Sequence, residues 1–257
     1  MGRCTDRPPL LLLPPSKGKA DGGEGPPYPH HLDGEAALNG PRREVLDALL
    51  AALPDLGDRE VARLGGVRSK DVPSARAELA ELERAPTLPA HRRYTGVVHG
   101  NAGLADVDPA DLQVDVRIVS GLAGLVALDE PLPAYRVEFA GSLPPLGGLA
   151  TWWRDRLADH LRELTADRLV WDLLPGEHAR IWDRRVRARA EVVETAFRRP
   201  DGRAANAART KVCKGRLAAF LLAHPTAGPT DLLAEADPGA GWRLSVTGDG
   251  IIATFDG

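Results

Sequence analysis

Basic and hydroxyl side chains in this sequence stand at spacings that suit the binding of an anion. The first group is Pro14-Pro15-Ser16-Lys17-Gly18-Lys19, where the apolar run Leu10 to Leu13 breaks into small residues that carry two ammonium groups. Proline, glycine and serine end a strand and let backbone N–H groups converge with lysines on one anion. The loop lacks the Gly-x-x-x-x-Gly-Lys-Ser/Thr spacing of a P-loop, and by itself it fits a strand followed by an exposed turn with solvated lysines. Further on, Thr95, Ser120, Tyr135, Arg136, Asp172, Lys211 and Lys214 fall at strand ends, turns or the first half of a helix. Gathered with Ser16 and Lys19, they would make a basic cleft for phosphate or carboxylate, with Arg136 gripping two oxygens and the lysines acting as point charges. Scattered surface ion pairs are the competing reading. Asp172, after Leu169-Val170-Trp171, also fits a buried structural carboxylate.

If such a cleft is catalytic, Lys17, His99, Tyr135, Asp172 and His178 are the candidates for proton transfer or covalent chemistry. No Ser-His-Asp or Cys-His order is legible, so no reaction follows from these residues. His30-His31 lies in a Gly/Pro-rich loop and no His-x-x-x-His spacing occurs, so no metal site is assigned. Cys213, beside Lys214, has the neighbours of a redox-sensing thiolate, but a free cysteine within a helix is more often a buried apolar residue.

These groups require a mixed scaffold. Apolar stretches point to strands at Leu10–Leu13, Val114–Val119, Arg168–Leu173 and Gly250–Phe255, with further candidates at Tyr94–Val98 and Tyr135–Phe139. Arg187–Phe197 alternates and meets Pro200-Asp201-Gly202, which predicts a hairpin into a short strand near Ala204. Helical spacing marks Pro41–Leu53, Asp58–Leu64, Ser74–Arg84, Leu149–Leu164 and Ala208–Ala223. In the last of these, Lys211 and Lys214 share a face. The prediction is one α/β domain over 10–257 with a mixed sheet and flanking helices, preceded by a disordered lead over 1–9. Residues 41–85 form a small helical subdomain. There Gly65-Gly66 joins two helices, and Arg68 and Lys70 stand where a helix-hairpin-helix element would meet a DNA phosphate. An ordinary helical hairpin has the same pattern. Gly22–Gly40 is long for an internal connection and reads as a mobile segment or a lid over the site.

Composition narrows the field. A formal net charge of −3 excludes a polycation, so nucleic-acid binding would need a local basic face. Aromatic residues make up 5% of the chain, too few for an extended base-stacking platform. Two cysteines cannot build a disulfide framework and fit a reducing interior. No run approaches a membrane span and no export signal is legible, which predicts a cytoplasmic protein without membrane contact.

Four segments in order, Leu10 to Lys19, Arg93-Tyr94-Thr95-Gly96-Val97-Val98-His99, Val119-Ser120-Gly121-Leu122-Ala123-Gly124-Leu125 leading to Tyr135-Arg136, and Lys211-Val212-Cys213-Lys214-Gly215-Arg216, resemble the YaaA peroxide stress protein family. The form resembled is the one with a Leu-Pro-Pro-Ser-Glu-Gly-Lys N-terminal loop. The resemblance implies a role in limiting oxidative damage, with duplex DNA bound through phosphate contacts by a helix-hairpin-helix element. The alternative is an enzyme, biosynthetic or metal- or haem-assisted among its forms, that acts on a phosphorylated or carboxylated small molecule in the same basic cleft. The chain departs from the resembled pattern at Lys17, where a Glu is usual, at His99, Ala123 and His178, where Tyr is expected, and at Leu174, where Arg is expected. An added ammonium makes the loop more cationic, and two imidazoles add proton-transfer or metal-ligating capacity.

Overall fold

The computed structural model describes residues 7–28, 36–199, 201–235, 242–247 and 250–255. Its centre is β1 (Leu10–Leu13), four leucines with no exposed surface. Leucine has no strong strand preference, but a strand covered on both faces must be apolar throughout, and burial overrides propensity here. The first half continues with α1 (Ala36–Ala52), α2 (Asp58–Gly65), α3 (Val72–Ala80), β2 (Thr87–Pro89), α4 (Ala90–Arg93) and α5 (Val97–Asn101). Next come β3 (Asp115–Ser120), β4 (Gly124–Ala127), β5 (Pro131–Pro133), β6 (Ser142–Leu143), β7 (Gly147–Gly148) and α6 (Leu149–Leu164). The remainder is β8 (Leu169–Asp172), α7 (Arg184–Arg187), β9 (Glu191–Arg198), α8 (Ala207–Ala223), α9 (Pro229–Glu235), β10 (Trp242–Thr247) and β11 (Gly250–Phe255).

Seven strands form one mixed sheet in the order β10-β11-β9-β8-β1-β3-β4. The inner five run parallel, and β10 and β4 close the edges antiparallel. From β1 the chain builds β3 on one side and later β8 on the other. Beyond the carboxyl ends of parallel strands, such a reversal of direction leaves a crevice. Ser16 to Lys19 leave β1 at this end, and Pro175 to His178 follow β8 there.

Several expected elements differ. Helix α1 begins at Ala36, five residues before Pro41, which therefore sits inside it. Buried Leu38 belongs to the core, and that packing compensates for the bond that proline removes. Tyr94–Val98 is not a strand: Tyr94 makes a single bridge with Lys19, and helix α5 starts at Val97. Tyr135–Phe139 alternates buried and half-buried but pairs with no strand among the described residues. Arg187 ends helix α7, and β9 starts at Glu191; the bridge from Arg198 to Ala204 makes the expected hairpin return. Met1 to Asp6, His30-His31 and most of the proposed lid's centre lie outside the described residues. Arg7 is already anchored, donating to the carbonyls of Glu163 and Ala166.

Two buried arginines brace the scaffold. Arg42 of α1 donates to the carbonyls of Ala123 and Leu125 and pairs with Glu130 at 2.5 Å. Arg93 donates to the carbonyls of Ala20, Gly22, Pro86 and Leu132, which holds the segment after the Ser16 loop against α4. Val61, Leu64 and Leu79 from α2 and α3 lie in the same apolar cluster as Leu11 and Ile118, so the helical subdomain shares the sheet's core.

Candidate functional site

The crevice holds a cavity of about 410 Å³. One wall is the Pro14–Lys19 loop; α5 supplies Val97, Val98 and His99, and α8 supplies Ala207, Thr210, Lys211 and Lys214. Tyr135 to Phe139 and Pro175 to His178 complete it. Close backbone approach makes the convergence possible. A Cβ on Gly215 would stand 2.5 Å from the Val98 carbonyl oxygen, so only glycine lets α8 lie this close to α5. A Cβ on Gly96 would stand 2.1 Å from Ser16 Oγ.

Lys19 ends the loop half-buried. Its ammonium donates to the Ser16 carbonyl at 2.9 Å and stands 4.2 Å from the centroid of the Tyr135 ring. Burial lowers its pKa to about 8, Glu138 opposes that shift, and Arg136 and Arg93 add to it. The Tyr135 hydroxyl is engaged below the cavity, at 2.6 Å from Tyr94 Oη and 2.7 Å from Ser120 Oγ, and Ser120 Oγ accepts from the Ala123 N–H. Burial pushes Tyr135 up to about 12, which removes it as a base near neutral pH. What Tyr135 offers a ligand is its ring.

At the opposite wall, Lys214 Nζ donates to the Leu173 carbonyl at 2.5 Å, and burial lowers its pKa to about 8 against the attraction of Asp172. Among the described residues, neither Lys19 nor Lys214 forms an ion pair with a carboxylate. His99 is 2% exposed, with Nε2 2.9 Å from the Pro14 carbonyl oxygen. A carbonyl only accepts, so Nε2 carries the proton. Burial and the nearby Lys19 hold His99 down to about 4. His178 stacks on Phe139 and is lowered to about 4 by burial; among the described residues neither of its ring nitrogens has a hydrogen-bond partner.

The outer rim is neutralised internally. Lys17 pairs with Glu138 at 3.1 Å and donates to the Gly66 carbonyl at the C-terminal end of α2, an end that favours a cation. Arg136 pairs with Glu78 of α3 at 2.8 Å. Gly65 and Gly66 line the cavity between these pairs.

Ser16, Lys17, Lys19, His99, Tyr135, Arg136, His178, Lys211 and Lys214 are thus brought to one cavity. Three expected residues are not. Ser120 has no exposed surface and serves as a bracket under Tyr135. Thr95 is exposed beside Gly18, outside the lining. Asp172 is buried behind the wall, accepting from the Leu174 N–H and Trp182 Nε1, so it is the structural carboxylate that the sequence also allowed. Arg68 and Lys70 are exposed on the neighbouring subdomain, with Arg68 held 3.0 Å from Asp71. Sequence reasoning missed Glu138, Phe139 and Thr210. Thr210 stands one position before Lys211 on the face already singled out, and Glu138 follows Arg136 by two along an alternating segment. Cys213 is buried, and its thiol is pushed up to about 11, away from a redox-sensing thiolate. Among the described residues no group of three or more His, Cys, Asp or Glu is placed to hold a metal ion. Nor, among them, is any helix long and apolar enough to cross a membrane.

Comparison with known proteins agrees with this arrangement of segments. A UPF0246 protein of Streptomyces coelicolor is 32% identical over 255 residues, covering 92% of this chain and 97% of that protein. A UPF0246 protein of Corynebacterium glutamicum is 31% identical over 174 residues, 67% of this chain and 69% of the relative. Another from Methylibium petroleiphilum is 34% identical over 121 residues, 44% of this chain and 47% of the relative. The profile of the family described as "Peroxide stress protein YaaA" matches residues 10–243, from β1 through the cavity-lining face of α8 and into β10, and this chain belongs to that family.

Proposed function

We propose that this chain serves peroxide defence in the cytoplasm by binding a small phosphorylated or carboxylated molecule in the cavity, with Lys19, Lys211, Lys214 and Arg136 as the anion-binding groups. The observation that carries this reading is the pair of ammonium groups, Lys19 half-buried and Lys214 buried, without a carboxylate partner among the described residues. Burying an unpaired charge costs several kcal/mol, and an entering anion would offset that cost for both. Pro14, Pro15, Val97, Val98, Val137 and Phe139 give the cavity an apolar wall for the body of the ligand. Inorganic phosphate is therefore expected to raise the melting temperature of the parent, and by much less in Lys19→Met and Lys214→Met. A parent melting temperature that does not respond to phosphate, sulfate or citrate would sink this reading.

Duplex DNA is a second reading, supported by the Gly65-Gly66 turn between α2 and α3 and by exposed Arg68 and Lys70. Charge balance weakens it. Between Gly57 and Arg84, Arg59, Arg63, Arg68, Lys70, Arg76 and Arg84 are offset by Asp58, Glu60, Asp71, Glu78, Glu81 and Glu83. That is no basic footprint. Under this reading Arg68→Ala with Lys70→Ala weakens duplex binding uniformly and flattens its salt dependence. Unchanged binding in that double variant would remove the subdomain from the interface.

A further inference from the structure

The sequence holds five lysines, and the fold gives each a different setting. Lys70 is exposed on the helical subdomain, Lys211 is exposed on α8, and Lys17 pairs with Glu138 at 3.1 Å. Lys214 is buried, with Nζ held by the Leu173 carbonyl at 2.5 Å. Lys19 combines what the others lack: it is half-buried, lines the cavity, and has no carboxylate partner among the described residues. The Ser16 carbonyl accepts from Nζ at 2.9 Å, and the centroid of the Tyr135 ring lies 4.2 Å away. Of the three positions that Nζ carries beyond Cε, two are thus engaged and one is left for a lone pair. With no carboxylate to hold the proton, burial lowers the pKa to about 8, which leaves about a tenth of the amine neutral at pH 7.

We infer that Lys19 is a nucleophile and that the ligand is a small oxo acid, whose aldehyde or ketone carbon Nζ attacks while Lys214, Lys211 and Arg136 hold its carboxylate or phosphate. This rests on the proposed anion-binding role and adds a carbonyl to the ligand and a covalent step to the site. The lone pair of the neutral amine forms a bond to the carbonyl carbon, and a proton passes from nitrogen to oxygen through solvent. The resulting carbinolamine loses water and leaves a C=N bond, so amine plus carbonyl gives imine plus water and nothing is oxidised or reduced. Taking one proton from solvent, the imine becomes an iminium that keeps a positive charge over the Tyr135 ring, where the ammonium stood. Val97, Val98 and Val137 flank the ligand's carbon chain. Lys214 has an equally low pKa, but its burial and its bond to the Leu173 carbonyl keep it in place as the counter-charge.

The test uses the full chain without substitution: incubation with succinic semialdehyde or with butanal at pH 7, reduction of imines by borohydride, and mass-spectrometric counting of adduct at each lysine. The two aldehydes share a carbon chain and differ in the carboxylate. With succinic semialdehyde, Lys19 should carry at least about tenfold more adduct than Lys17, Lys70 or Lys211, since its neutral fraction exceeds that of an unperturbed lysine by more than that factor. Butanal should give about a tenth of that adduct or less at Lys19, because a hydrogen bond to a charged group is worth that factor or more, and the two aldehydes should match at Lys70. Excess sulfate should protect Lys19 and spare Lys70. No adduct, adduct spread evenly over the lysines or concentrated on Lys214, or equal adduct from both aldehydes at Lys19 would overturn the inference. In that event a melting temperature that still rises with phosphate leaves the anion site standing, and one that does not removes both readings.

Discussion

Mild acid should weaken this protein through the two buried imidazoles. An unfolded histidine takes up its proton near pH 6.5, whereas His99 and His178 in the folded chain are held at about 4. Between those values the unfolded state binds more protons, so stability is fully present above pH 6.5 and falls as the pH drops toward 4. From pH 7 to pH 5 each group is worth about 2 kcal/mol, and the two together about 4 kcal/mol, a large fraction of a typical folding free energy. Burial makes this penalty and outweighs what opposes it at His178, where Glu177 lies 3.7 Å from Nδ1 and Glu138 attracts the new charge, while Lys19 repels a charged His99. Urea unfolding of the parent, His99→Phe and His178→Phe at pH 7, 6 and 5 isolates the effect. Each variant should lose about 2 kcal/mol less than the parent over this range, since phenylalanine takes up no proton. Equal losses in all three proteins would refute the claim that these rings are buried and neutral.

Sulfate, whose charge is constant from pH 7 to 9, should bind several-fold more weakly at pH 9, because Lys19 and Lys214 lose their protons near pH 8; titration calorimetry at both values decides, and equal affinities would argue against their role. Gly215→Ala should cost about 1–3 kcal/mol in urea unfolding despite alanine's better helix propensity, because the new methyl meets the Val98 carbonyl at 2.5 Å; a neutral or stabilised variant would mean that α5 and α8 are not in close contact. Arg93→Met should cost roughly 3 kcal/mol or more, since it strips donors from carbonyls of Ala20, Gly22, Pro86 and Leu132; a loss under about 1 kcal/mol would show that water replaces the guanidinium.

The parts of the fold legible in the sequence are those where local pattern and burial agree. Leu149–Leu164 is a helix with the boundaries its spacing predicts, and Leu10–Leu13 is the buried central strand. Where a long-range contact decides, the local pattern misleads. Tyr94 to Val98 has the composition of a strand. However, Tyr94 is held at Lys19 by one bridge, and its ring and hydroxyl are committed to Lys19 and Tyr135, so the chain turns into α5. Gly124–Ala127 escaped notice as a strand because it is only four residues long and begins at a glycine with φ 73°. Alanine there would press on Trp153, a partner distant in sequence.

The site shows the same division. Lysines could be gathered from loops and one helical face because an ammonium on a long stem at a strand end reads as a binding group from composition and position alone. The role of each hydroxyl could not be read this way. Ser120 and Tyr135 look equally suited to a ligand in sequence, yet their oxygens bond to each other at 2.7 Å and only the Tyr135 ring reaches the cavity. Lys17 looked like extra charge for the anion and is instead drawn to Glu138 and to the end of α2, contacts that arise only once the helical subdomain packs beside the loop. Among the described residues no carboxylate pairs with Lys19, Lys211 or Lys214, of which Lys214 is buried, Lys19 half-buried and Lys211 exposed, whereas Lys17 and Arg136 are paired. Solvent near the rim weakens each of those pairs, so an incoming anion can exchange with Glu138 or Glu78 at little cost. Inside, where charge is costly to leave uncompensated, the same anion meets ammonium groups that have nothing to give up. Under the proposed anion-binding role, half-buried Lys19 and buried Lys214 therefore favour ligands that enter fully over those that stop at the pairs of Lys17 and Arg136.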